Sequence, residues 1–199
     1  MAKFINESWL VLTMGVVFAG LLAGTQQTLD PAIKANQRAA LLAAIEQVMP
    51  PGELAAPVEL ADQGLPGVYE CRDADGRLVG WALDSRGPGF ADMLRLVVGL
   101  SADGQTITGV KVIEQSETPG LGNKIEDPDW VGMYRGTDAT RPLEVTKTKR
   151  ALEQLKADNQ IAAITGATIS ADAVTDIVNK RMAEVREKLL SRAATAGQE

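Results

Sequence analysis

Two segments of this chain combine hydroxyls, glycines and small residues at spacings that suit a flat or anionic ligand. The first, Glu117-Thr118-Pro119-Gly120-Leu121-Gly122, is followed by Asn123-Lys124. Its proline fixes an exposed backbone path, and its two glycines let a ring or a phosphate come close to main-chain N–H groups. The second, Thr165-Gly166-Ala167-Thr168-Ile169-Ser170, stands directly before a helical run. Small residues clear space there, hydroxyls are available, and the helix N-terminus presents unpaired N–H groups to an anion. Read alone, the first is equally a tight loop leaving a strand, and the second a capped strand-to-helix turn.

The residue types that are missing narrow the chemistry further. The chain has no histidine, which removes Ser-His-Asp and Cys-His nucleophile pairs, haem with a histidine ligand and most zinc sites. Its single cysteine, Cys71, excludes an intramolecular disulfide, CxxC chemistry and a cysteine-ligated iron–sulfur cluster. Redox chemistry in such a chain has to come from an organic cofactor. Lys and Arg total 20 against 26 Asp and Glu, a net charge of -6, the wrong sign for a general nucleic-acid binder.

Those segments need a scaffold, and 199 residues with 45% hydrophobic content suit one domain of ordinary size plus an appendage. No residue between Glu7 and Asp30 is charged. As helix, Ser8 to Leu29 would extend about 33 Å at about 1.5 Å per residue, enough to cross a bilayer. A cleaved signal peptide competes with this reading, but Lys3 alone is a thin basic region and no clear cleavage site follows, so a retained anchor with Trp9 at an interface is expected. The span carries no ionisable side chain and so cannot by itself line an ion path. Lys3 before the span and Lys34 and Arg38 after it barely decide its orientation.

Asp30-Pro31 reads as the N-cap and first residue of a new helix running to Met49, stopped by Pro50-Pro51. Residues 52–66 look like a connection. Val68–Cys71 with Leu78–Leu83, across an Asp73-Ala74-Asp75-Gly76 turn, and Met93–Leu100 with Thr106–Ile113, across Ser101-Ala102-Asp103-Gly104, read as two hairpins of an antiparallel sheet. A short helix at 127–134 and a strand at 143–146 follow. Ser170 can cap a last helix from Ala171 to about Arg192, apolar along Val174, Ile177, Val178, Met182, Val185 and Leu189. The expected class is α+β: a single N-terminal transmembrane helix followed by an antiparallel-sheet domain with flanking helices. Its divisions are a membrane anchor at 1–29, a helix and connection at 30–66, and the sheet domain at 67–199.

A T-G-A-T element before a C-terminal helix, an E-T-P-G-L-G loop upstream, a hairpin sheet and one N-terminal span together resemble the FMN-binding G subunit of the Rnf electron-transport complex. The resemblance covers nearly the whole chain and extends to Gly87-Pro88-Gly89-Phe90, to Leu96-Val97-Val98-Gly99-Leu100 and to Trp130. It implies that the sheet domain at 67–199 is an FMN-binding domain. The C subunit of the sodium-translocating NADH:quinone oxidoreductase is also similar; it shares both motifs and is usually a longer chain.

In the Rnf family the last threonine of the S/T-G-A-T motif carries FMN through a phosphoester bond, installed from FAD by a magnesium-dependent flavin transferase. The resemblance maps that threonine to Thr168, with Thr165, Gly166 and Ala167 completing the recognition element and Ser170 as the cap. It implies that the loop lies over the flavin, with Glu117, Thr118, Gly120, Leu121 and Gly122 as cofactor-binding residues, and it implies neither a metal ligand nor a catalytic residue in this chain. Relatives often have an acidic residue where Ala162 stands and a histidine where Gln115 stands. Lys124 is either a phosphate or flavin contact or a solvated lysine. Cys71, Trp81 and Trp130 read as core.

The implied function is an electron carrier in a membrane complex that couples electron transfer between ferredoxin and NAD to ion translocation. Its implied partners are the other subunits, the flavin transferase and the cytoplasmic (inner) membrane, with one pass and the FMN domain on the periplasmic or outer side. The alternatives are a membrane-tethered FMN-binding sensor outside any pump, and the C subunit of the NADH:quinone oxidoreductase.

Overall fold

The computed structural model describes residues 2–52, 54–148 and 150–196; the side chains of 2–8, 187 and 189–196 lie outside that description, and with them Lys3, Glu7 and the expected packing of Leu189. The chain divides into two compact units, Met1–Ala40 and Leu41–Glu199.

The first unit is the greater part of one helix, α1 (Ala2–Val48). It is long and apolar enough to cross a membrane, and the only such helix among the described residues. The large apolar side chains of Trp9, Leu10, Val11, Leu12, Val16, Phe18, Leu21 and Leu22 are all exposed, as a lipid-facing helix requires. The hydroxyls of Thr13, Thr25 and Thr28 donate to the carbonyls of Trp9, Leu21 and Gly24 at 2.7, 2.8 and 3.1 Å, so none needs an external partner. The expected break at Asp30-Pro31 is absent: the helix runs straight through Pro31. A proline deprives the carbonyl four residues earlier of its partner. Here that carbonyl belongs to Gln27, an exposed residue, where solvent or headgroups can satisfy it. Asp30 instead pairs with Lys34 one turn on, at 3.4 Å. Pro50 and Pro51 do stop α1, as expected.

The second unit is built on a five-stranded antiparallel meander: β1 (Val58–Glu59), β2 (Val68–Arg72), β3 (Leu78–Pro88), β4 (Met93–Ser101) and β5 (Ile107–Glu114), neighbours in chain order. Both expected turns are present. Asp73 Oδ1 accepts the N–H groups of Asp75 and Arg77 at 3.0 and 2.8 Å. At Ser101 the turn closes with the Gly104 N–H on the Ser101 carbonyl at 2.9 Å. Strand β3 is longer than its apolar run suggests and pairs with β4 from Gly80↔Ser101 to Pro88↔Met93, which carries the Gly89–Asp92 corner to the edge of the site.

After β5 come α2 (Pro128–Val131), a 3₁₀ turn at Gly132–Tyr134, β6 (Glu144–Thr146), α3 (Leu152–Ala157), β7 (Gln160–Ala162) and α4 (Thr168–Ala196). Strands β6 and β7 form a separate parallel pair. One face of the main sheet, with Trp81, Leu83, Leu94, Leu96, Val98 and Leu100, shares a core with Val174, Ile177, Val178 and Val185 of α4. Each such side chain taken out of water contributes about 1.5–3 kcal/mol. The opposite face, through Cys71, Ala82 and Val97, packs on Leu41, Ala44, Ile45 and Val48 at the end of α1. Arg95 is tolerated inside because Asp84 accepts two of its N–H groups at 2.9 and 2.8 Å and Glu114 a third at 3.0 Å, which raises its affinity for its proton and compensates its desolvation.

The β6–β7 pair hangs on Asn159, buried and at φ 59°. Its Oδ1 accepts the Asp138 N–H at 2.9 Å, and its Nδ2 lies 3.0–3.1 Å from the carbonyls of Asp138, Arg141 and Pro142. Asn159→Ala should therefore cost about 3 kcal/mol or more, from the left-handed backbone and the stranded polar groups, read as a lower urea midpoint by circular dichroism. Cys71 is buried on β2, and desolvation pushes its thiol up to about 12. At pH 8 it should resist iodoacetamide until the protein is unfolded, with mass spectrometry as the check.

Candidate functional site

The loop and the T-G-A-T segment, about fifty residues apart in sequence, meet at the head of α4. They line an open cleft with about 390 Å³ of empty space, formed by Thr118, Leu121 and Gly122 on one side and Gly166, Ala167 and Thr168 on the other, with Glu117, Phe90, Ile169 and Ser170 at its floor and rim.

The loop takes its shape from its sequence. The Leu121 N–H reaches the Thr118 carbonyl at 3.2 Å, and Pro119 and Gly120 occupy the middle of that turn with Gly120 at φ 77°, the pattern of a type II turn. No atom outside the neighbouring residues comes within 4 Å of the place where a Cβ on Gly120 would stand. Its glycine is required by the backbone angle and not by crowding, and it shapes the turn without lining the cleft. The 3₁₀ turn at Gly122–Glu126 then carries the chain away, with Ile125 fully buried beneath it.

Three hydroxyls compete in the T-G-A-T segment, and their surroundings differ. Thr165 is exposed and outside the cleft. Ser170 is 2% exposed and donates to Glu117 Oε2 at 2.6 Å. Thr168 is half-buried, lines the cleft, and its hydroxyl makes no hydrogen bond among the described residues. It is also the first residue of α4. The Ala171 N–H is the first of that helix to bond four residues back, to Ala167 at 3.1 Å, so the first-turn N–H groups face the region where an anion would lie. The expected capping role of Ser170 is therefore corrected: α4 begins two residues before it, and its hydroxyl is committed to Glu117.

Glu117 lines the cleft but its carboxylate turns inward. It is 4% exposed, and Oε1 accepts the N–H groups of Phe90 and Ala91 at 2.8 and 3.1 Å. Gln115, where relatives often carry histidine, accepts the Glu117 N–H at 2.7 Å. Ala162, in the position often acidic, offers its carbonyl to the Trp130 indole at 2.8 Å. Lys124 is exposed and outside the cleft. Trp81 and Trp130 are core, the latter edge-on to Tyr134 with ring centres 5.4 Å apart.

Sequence reasoning missed the cleft roles of Phe90, Ile169 and Ser170. Phe90 and Ile169 are 61% and 59% exposed, and with Leu121 they give the mouth an apolar rim suited to a planar ring system. An exposed aromatic after Gly-Pro-Gly was the available signal for Phe90. A phosphate at the helix head and a planar ring against this rim fit FMN.

Residues 89–183 match the family model described as the FMN-binding domain. Over 174 residues the chain is 33% identical to the G subunit of the ion-translocating oxidoreductase complex of Methanosarcina acetivorans, spanning 85% of this chain and 87% of that one. The chain belongs to this G-subunit family. Another family member, the G subunit of the Na+-translocating ferredoxin:NAD+ oxidoreductase complex of Acetobacterium woodii, is 40% identical over 110 residues, 53% of this chain and 49% of its own. Among solved structures, the C subunit of the Na+-translocating NADH-quinone reductase from Parabacteroides distasonis superposes with a TM-score of 0.52 at 20% identity, over 72% of this chain and 79% of that one; it shares the fold. The cofactor of the G-subunit domain is FMN.

Gly120→Val separates the loop's role from the stability of the sheet. A branched side chain at φ 77° costs about 1–2 kcal/mol, enough to re-form the turn while α4 and the meander stay folded. Far-ultraviolet circular dichroism should be unchanged and the visible spectrum of bound flavin shifted; an unchanged flavin spectrum and content would make the loop a plain turn.

Proposed function

We propose that this chain is the FMN-carrying relay of a membrane complex that passes electrons between ferredoxin and NAD and couples the transfer to ion movement, and that the FMN is held covalently, through its phosphate, on Thr168. The observation that carries the attachment is Thr168 itself, half-buried, lining the cleft at the head of α4 and with a hydroxyl that makes no hydrogen bond among the described residues, while Thr165 is exposed outside the cleft, Thr118 is exposed on the opposite loop and Ser170 is committed to Glu117. With no histidine in the chain and Cys71 buried in β2, hydroxyl esterification is the linkage open to it.

Attachment from FAD balances simply. The Thr168 Oγ–P bond forms at the phosphorus nearer the flavin, the P–O–P bond to adenosine monophosphate breaks, AMP leaves, and the hydroxyl proton passes to solvent or to a base of the transferase. A flavin transferase with magnesium is the partner that would supply this chemistry. The phosphoester keeps a negative charge at the head of α4, a placement worth about 0.3–1 kcal/mol, which Asp172 in the same turn opposes. Leu121, Phe90 and Ile169 would flank the ring system, and Gly166 leaves room for Leu121.

Flavin supplies one- and two-electron transfer; the protein's part is to hold it in reach of its neighbours. We assign residues 1–29 as a single membrane anchor in the cytoplasmic membrane, 30–66 as the connection and 67–199 as the FMN-binding domain, displayed on the outer face. The exposed apolar side chains of α1 and the absence of a charge between Glu7 and Asp30 support the anchor.

Coexpression with a flavin transferase should add the mass of FMN less one water, in a form that survives denaturation and maps to the peptide holding Thr168. Thr168→Ala should fold and lose that mass, and Thr165→Ser should keep it. Covalent flavin on Thr168→Ala, or tandem mass spectrometry placing it on Thr165 or Ser170, overturns the assignment. Carbonate washing should leave the chain in the membrane pellet, whereas a mature chain beginning near Thr25 in the soluble fraction removes the anchor.

A further inference from the structure

We propose that Glu117 is a positioning residue for flavin attachment, fixing the rotation and depth of the head of α4 so that the Thr168 hydroxyl faces the cleft. The inference rests on the reading that Thr168 is the acceptor. It gives the glutamate of the E-T-P-G-L-G loop a role distinct from flavin contact.

Both oxygens of this buried carboxylate are occupied from inside the protein. Oε1 takes the N–H groups of Phe90 and Ala91 at 2.8 and 3.1 Å, and Oε2 takes the Ser170 hydroxyl at 2.6 Å. Among the described residues it makes no ion pair. A carboxylate buried without a cation is costly unless hydrogen-bond donors surround it, and here one side chain draws those donors from the β3–β4 corner and from α4 to its own loop.

The surrounding backbone is cut to fit that carboxylate. A Cβ on Gly89 would collide with Glu117 Oε1 and would stand 2.7 Å from the Asp92 carbonyl oxygen, and one on Gly122 would stand 2.8 Å from Glu117 Oε2 and 3.1 Å from Ser170 Oγ. Each glycine lies in a sequence motif, Gly-Pro-Gly-Phe or Pro-Gly-Leu-Gly, and a side chain on either would meet Glu117.

Helix geometry carries the consequence to the acceptor. Ser170 shares the buried face of α4 with Ala171 and Val174. Thr168, two residues earlier, is turned about 200° around the axis at 3.6 residues per turn. Holding the Ser170 side chain inward therefore turns the Thr168 side chain away from the core, to the cleft that it lines. An in-line displacement at phosphorus is sensitive to that placement.

The test compares Glu117→Ala, Glu117→Gln and Ser170→Ala in the full-length chain, incubated with flavin transferase, magnesium and FAD, with rates corrected for the folded fraction by circular dichroism. Gln can keep the bridge, its amide oxygen accepting the two N–H groups and its NH2 donating to Ser170 Oγ. Glu117→Ala and Ser170→Ala should lose about tenfold or more in labelling rate, the loss falling on turnover while the KM for FAD stays unchanged. Glu117→Gln should stay within about threefold of the parent chain, since its bridge geometry survives. Should Glu117→Ala fail to fold, Ser170→Ala decides alone. Labelling of Ser170→Ala at the parent rate overturns the proposal, as does a loss in Glu117→Gln as deep as in the alanine variant. A parent chain with no FMN on Thr168 overturns the acceptor assignment itself, and that result is visible in the parent digest before any variant is compared.

Discussion

Strand β4 is buried along nearly its whole length, from Leu94 to Leu100, and that burial on both faces is the constraint from which the rest of the second unit follows. An antiparallel meander ordinarily leaves one face to water. This one has two apolar faces, and each must be covered by a helix. The last turns of α1 cover one and α4 covers the other. The helix that completes the core on the second side begins with Thr168, so the packing that stabilises the sheet also fixes where the proposed acceptor stands.

The site uses this scaffold without any of the side chains usually associated with redox chemistry. There is no histidine, and the one cysteine is sealed in β2. What the chain provides is shape and hydrogen-bonding geometry: a proline–glycine turn, a helix head with unpaired N–H groups, an apolar rim of Phe90, Leu121 and Ile169, and a hydroxyl at the helix head, that of Thr168, that makes no hydrogen bond among the described residues. These features suit a protein whose electrons reside on a borrowed cofactor.

Much of this was legible in the residues. The Asp73–Gly76 and Ser101–Gly104 turns and the apolar runs beside them place β2, β4 and β5 to within one residue, because local turn chemistry and side-chain alternation decide them, whereas β3 runs on past Leu83 to Pro88 and β1 lies in the stretch expected to be a connection. The two motif segments identify the cleft walls. What escaped were features decided by distant partners. Ser170 looks like a helix cap by local rules, but its hydroxyl is claimed by Glu117, 53 positions away. Pro31 looks like a helix start, but the exposed surroundings of Gln27 let an uninterrupted helix persist. The α3 and β7 segments are short and weakly patterned, and are held by Asn159, whose left-handed backbone and side-chain bonds to residues 138–142 have no local sequence signature.

The Glu117 bridge joins residues 90, 91, 117 and 170, contacts 26, 27 and 53 positions apart. No nascent fragment ending before residue 170 can contain it. The walls of the cleft, drawn from residues 90 to 170, are all present only when the chain has been made as far as the head of α4. A chain that stops short of the head of α4 lacks both the bridge and one wall of the cleft, and so has no place there to hold a cofactor.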